Sequence, residues 1–170
     1  LTYNNGVYVL YVDNVSILNG TSSYYLNNLT PSRDTFIGNR YGTTGVGTSI
    51  IGSADQVRIF NKSLTSTEVT TLNNEVDCPC TTNTINYPTT NVAYYEFDGN
   101  AEDSTTNGYN GVYSNVTWAQ GRYGTVGNFN GSSSYIQVAN DSFNYTAMTF
   151  SVWVNPSAND AYMYIFQNGM

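Results

Sequence analysis

Runs of strand-forming residues in this chain are short, and each is cut off within a few positions by Asn, Asp, Gly or Pro. That punctuation leaves no room for long helices or for repeated strand–helix crossovers. Val7-Tyr8-Val9-Leu10-Tyr11-Val12 is followed by the turn pair Asp13-Asn14 and then by Val15-Ser16-Ile17-Leu18, which predicts a hairpin. Tyr24-Tyr25-Leu26 and Thr35-Phe36-Ile37 predict shorter strands, and residues 41–47 (YGTTGVG) a loop. Asp55 to Phe60 reads as a strand with Val57 and Ile59 on one face. Further strands are expected at Ala93–Phe97, Tyr135–Val138, Met148–Val154 and Tyr162–Phe166. Many short strands separated by turns predict an all-β sandwich.

One helix is expected, and it is short. Thr65 is a good N-cap and Glu68, three residues later, completes a capping box. Leu64 can close on Val69 as a hydrophobic staple, and Leu72 continues the apolar stripe. Residues 77–91 (DCPCTTNTINYPTTN) have the composition of a linker. They separate a first segment, 1–76, from a second, 92–170.

Charge narrows the function. Five Lys and Arg face twelve Asp and Glu, a net −7. Nucleic-acid binding needs clustered cations and is not expected. Docking on anionic membranes is disfavoured for the same reason. No apolar run reaches the roughly 20 residues of a membrane-spanning helix, so membrane insertion is not expected either. The chain has no histidine, which excludes Ser-His-Asp and Cys-His catalysis and histidine metal sites. Residue 1 is not Met and no signal peptide is visible, as expected of a processed or excised chain.

Cys78 and Cys80 flank Pro79. Zinc would need more ligands, and a disulfide across so short a ring would be strained. Bonds to other chains and free thiols remain as readings. Eight N-x-Ser/Thr sequons, at Asn14, Asn19, Asn28, Asn61, Asn115, Asn130, Asn140 and Asn144, permit glycosylation. A chain this rich in Asn, Ser and Thr would contain roughly five by chance.

Several motifs together resemble laminin-G-like modules of the concanavalin A-type superfamily. Residues 51–74 (IGSADQVRIFNKSLTSTEVTTLNN) are similar to the strand and short helix that end such a module, and residues 2–14 to the hairpin before them. Residues 93–111, residues 121–138 and Met148–Val154 resemble its opening strands. The resemblance implies a jelly-roll sandwich with one short helix. The end of a module comes first here and the beginning second. Tandem modules cut mid-module would give that order, as would one circularly permuted or neighbour-complemented sandwich. Some of the family's middle strands are expected to be missing from this order, and open half-sandwiches should seek contacts with neighbouring copies or repeats.

The resemblance implies a non-catalytic extracellular module for glycan or surface recognition and adhesion. The alternative is a structural repeat subunit of an extracellular filament, a surface layer or a virion fibre. The expected location is therefore extracellular, at a cell or virion surface. Sugar binding would use exposed rings, for which Tyr41, Tyr109, Tyr113 and Tyr123 lie in or beside loops, while Trp118 and Trp153 are expected in the core. Calcium takes oxygen ligands, and related jelly rolls hold it near their termini, so Asp55, Asp98 and Asp103 are its candidate ligands. Arg58 and Arg122 sit at family positions and are expected to partner carboxylates or carbonyls. Laminarinase-type glucanases share the superfamily, and Glu96, Asp98 and Glu102 superficially match their acidic strand. Gly99 interrupts that strand, so catalysis is not expected.

Overall fold

A computed structural model describes residues 1–22, 34–39, 49–75, 90–122, 124–139, 143, 145–157 and 163–168. Within them the chain forms an all-β sandwich of two antiparallel sheets and one short helix. The expected strand at 24–26 and loop at 41–47 lie outside the described residues, as do Cys78, Cys80, Asn28, Asn140, Asn144, Tyr41 and Tyr123.

The first strands follow from local chemistry. β1 (Thr2–Asn4) turns through Asn5 and Gly6 into β2 (Val7–Val12). β2 turns through Asp13 and Asn14 into β3 (Val15–Thr21). All four turn residues hold positive φ, between 45° and 91°. Asn, Asp and Gly tolerate that region, and two successive such residues match the twist of a tight hairpin. Among the described strands β3 is the outermost of its sheet, and Val15, Ile17 and Leu18 on it are exposed.

β4 (Thr35–Ile37) and β5 (Ile51–Phe60) follow. Helix α1 (Ser66–Asn73) has the expected start. Thr65 Oγ1 accepts from Glu68 N–H, and the Glu68 carboxylate accepts from Thr65 N–H at 2.8 Å. Leu64 and Leu72 pack with Phe60 and Val69 in a small satellite core beneath the helix. No helix among the described residues is long and apolar enough to cross a membrane.

The second segment supplies β6 (Asn91–Tyr95), β7 (Gly111–Ser114), β8 (Thr117–Gln120), β9 (Thr125–Asn130), β10 (Tyr135–Val138), β11 (Ala147–Pro156) and β12 (Phe166–Asn168). The larger sheet runs β3-β2-β1-β11-β5-β9-β8, with β6 also paired to β5; the smaller runs β12-β4-β10-β7. Both sheets therefore draw on both segments. The main core lies between them and includes Ile37, Val57, Ile59, Tyr95, Phe97, Ile136, Phe143 and Phe150. Burying one such side chain stabilises the fold by about 1.5–3 kcal/mol.

One irregularity positions the candidate site. The β5–β11 ladder pairs Arg58 with Ser151 and then Asp55 with Trp153. Two residues of β5, Gln56 and Val57, thus face a single residue of β11, Val152. Gln56 absorbs the extra length at φ 50°. Such a bulge bends its strand and re-aims nearby side chains.

Candidate functional site

Next to this bulge a pocket of about 240 Å³ opens between β5, β11 and the β8–β9 turn. Its walls include Asp55, Gln120, Arg122, Val126 and Trp153. Directly opposed residues on adjacent strands share a face, so the Asp55–Trp153 pairing sets an acid beside an indole. Arg122, on the turn, places its guanidinium carbon 5.3 Å from the Trp153 ring centroid. That distance is within the reach of a cation–π contact. Arg122 is exposed and Trp153 half-buried.

Asp55 is 4% exposed. Its Oδ1 accepts from Gln56 N–H at 2.8 Å, and its Oδ2 is buried with no hydrogen-bond partner. A buried carboxylate oxygen without a donor is costly, because water that would solvate it has been removed. Burial therefore pushes the Asp55 carboxyl up to about 7. The Gln56 N–H opposes this, whereas the negative charges of Asp98 and Glu75 add to it and Arg58 offsets them.

Arg58 lies three residues along β5 and is fully engaged. Its Nη1 and Nη2 donate to the two Glu75 oxygens at 2.7 and 2.5 Å. Nη2 also donates to Gln56 Oε1 at 3.1 Å, and the guanidinium stacks 4.4 Å from the Tyr94 ring centroid. Tyr94 donates its hydroxyl to Gln56, and burial raises its phenol to about 12. This matches the carboxylate partnership expected of Arg58.

The other sequence candidates are dispersed. Asp103 accepts from the backbone N–H groups of Tyr94, Thr105 and Tyr109 and from the Thr105 hydroxyl, all at 2.9–3.0 Å. Asp98 is exposed and accepts from Thr125 N–H at 2.8 Å. Among the described residues no three His, Cys, Asp or Glu side chains converge on a point that could hold a metal ion. Asp55, Asp98 and Asp103 are therefore not gathered into one such group.

Tyr109 is half-buried and packs edge-on to Phe143 at 5.2 Å. Tyr113 is 46% exposed and meets Trp118 edge-on at 5.3 Å. Trp118 packs against the main core as expected. Trp153, expected there too, lines the pocket instead. The glucanase-like acids share no strand. β6 ends at Tyr95, Glu96 accepts from the Ser104 hydroxyl at 3.1 Å, and Glu102 is exposed.

Of the described sequons, Asn19, Asn61, Asn115 and Asn130 are exposed. Asn14 is half-buried and accepts from the Thr70 hydroxyl at 2.9 Å.

Sequence reading placed Asp55 and Arg122 among the candidates but did not join them. The available signal was the adjacent polar pair Asp55-Gln56 in the middle of β5. Comparison with protein-family models, with curated proteins and with solved structures returns no match.

Proposed function

We propose that this chain is a non-catalytic, extracellular, laminin-G-like module that recognises glycans through the Asp55–Arg122–Trp153 pocket. The observation that carries this reading is an indole, a guanidinium and a buried acid with a spare acceptor oxygen in one pocket. A sugar ring complements these groups in kind: an apolar C–H face matches an indole, and its hydroxyls both donate and accept. A volume of about 240 Å³ suits one ring rather than a large ligand. Oδ2 is closed to solvent, whereas Arg122, whose guanidinium lies by the indole, is an exposed residue. The ring therefore displaces Arg122 from the indole, and a ligand hydroxyl supplies the donor that Asp55 lacks.

Calorimetric titration with a panel of neutral and acidic oligosaccharides tests this. Trp153→Ala and Asp55→Asn are each expected to weaken binding tenfold or more, about 1.4 kcal/mol. Tyr113→Ala, outside the pocket, should leave it unchanged. Absence of binding across the panel, or binding indifferent to Trp153→Ala, would overturn the reading.

A further inference from the structure

The two segments on either side of residues 76–89 are complementary halves of one sandwich. Among the described residues, β4 and β5 pair with no strand of their own half. Their ladders run to β10 and β12, and to β6, β9 and β11, respectively. β1 adds a ladder to β11. Six ladders thus cross the seam, against four formed within a half, β1–β2, β2–β3, β7–β10 and β8–β9. The seam is also where the core closes. Val57 and Ile59 of one half share a cluster with Ile136, Met148 and Phe150 of the other. Polar contacts fix its register. Leu64 N–H donates to Thr149 Oγ1 at 2.9 Å, and that hydroxyl donates to Lys62 O at 2.8 Å.

We infer that this seam is an interaction surface for a second copy of the chain, in which residues 1–75 of one copy take residues 90–168 of another. A half without its complement exposes core side chains and leaves β4 and β5 without backbone partners, both unfavourable. The complement that removes this cost is defined by register and shape, and a neighbouring copy supplies it as well as the chain's own second half. Concentration decides between them. A covalent connection of this length sets an effective concentration on the order of millimolar. Dilute chains close on themselves, and crowded or tandemly linked copies exchange halves. Reciprocal exchange closes a dimer, whereas head-to-tail exchange propagates as a fibre. Neither needs a contact absent from the closed sandwich.

Cross-linking of full-length chains tests the inference. Ser53 and Asn155 oppose each other across the seam, as do Asn4 and Ala147. Two copies carrying Cys78→Ser and Cys80→Ser, one with Ser53→Cys and the other with Asn155→Cys, are refolded together at about millimolar protein. They are then treated with a short bis-maleimide, each cysteine thiolate adding across one maleimide double bond. A covalent two-chain product that disappears on refolding at about micromolar protein is expected. A chain carrying both cysteines reports closure on itself, and Asn4→Cys with Ala147→Cys gives an independent pair. The inference is overturned if the doubly substituted chains cross-link internally while mixed copies give no more product than Ser53→Cys mixed with the remote Val12→Cys.

Discussion

Two aspartates of this chain are almost equally buried and live in opposite circumstances. Asp103, 9% exposed, sits at the centre of the loop after β6, where three backbone N–H groups and a hydroxyl surround its two oxygens. Asp55, 4% exposed, has one N–H for one oxygen and none for the other. Asp103 spends its acceptors on holding a turn together. Asp55 retains an acceptor that the fold does not use, in the wall of a pocket. Burial alone does not distinguish a structural acid from a binding acid; the accounting of donors does.

Removing Asp103 should have the largest effect. Asp103→Ala leaves the backbone N–H groups of Tyr94 on β6 and of Thr105 and Tyr109 in the loop without their acceptor. At about 1–3 kcal/mol for each buried unsatisfied donor, discounted where water reaches the loop, a loss of about 3–5 kcal/mol is expected. Urea denaturation measures it. A loss below about 1 kcal/mol would place Asp103 alongside Asp55 rather than opposite it.

Asp55→Asn should act in the other direction and depend on pH. With its folded carboxyl near 7 and the ordinary value at 3.8, the folded chain holds a proton that the unfolded chain releases between those values. Asp55 therefore favours the folded state at the acid end of that window, and the advantage is lost as pH rises through about 7. Denaturation midpoints at pH 5 and pH 8 should differ in the natural chain because of this group. Asp55→Asn, with no carboxyl to ionise, should lose that part of the difference and be the more stable chain at pH 8. The same substitution is expected to weaken glycan binding, so stability and recognition should move oppositely at this one position.

The smallest effect concerns Asp98, whose negative charge helps hold the Asp55 carboxyl up. Asp98→Asn should lower the Asp55 titration midpoint slightly, followed by carboxyl-carbon NMR. An unchanged midpoint would leave burial and the Glu75 charge as the causes. Gly124, at φ 90°, packs against Asp98 so closely that a side chain there would collide with its carboxylate.

Legibility in the sequence followed the range of the forces involved. The capping box at Thr65 and Glu68 and the Asp13-Asn14 hairpin were readable because each works over about four residues. β7, β8 and β9 were not among the strands expected from local residue preference, and β9 was touched only by the resemblance of residues 121–138. β9 contains Gly127, Asn128 and Asn130, poor strand formers, and is held extended by ladders to β5 and β8. The last described strand lies at Phe166–Asn168, paired to β4, rather than over 162–166, where the aromatic residues pointed.

The candidate site was legible only as separate letters. Asp55 and Arg122 were marked only by the resemblance, one as a calcium candidate and the other as a partner for a carboxylate or carbonyls. Trp153 read as core because a tryptophan within an apolar run usually is.

By itself the sequence determined where the described hairpins turn, where the described helix begins and that strands would dominate. Those outcomes depend on backbone preferences and side-chain bonds between near neighbours. Tertiary structure decided which strands meet, that the two halves share both sheets, and that a bulge at Gln56 leaves one oxygen of Asp55 without a donor beside Trp153 and Arg122. Whether a buried atom is satisfied depends on groups roughly 70 to 100 positions away in the chain, and no local pattern carries that information.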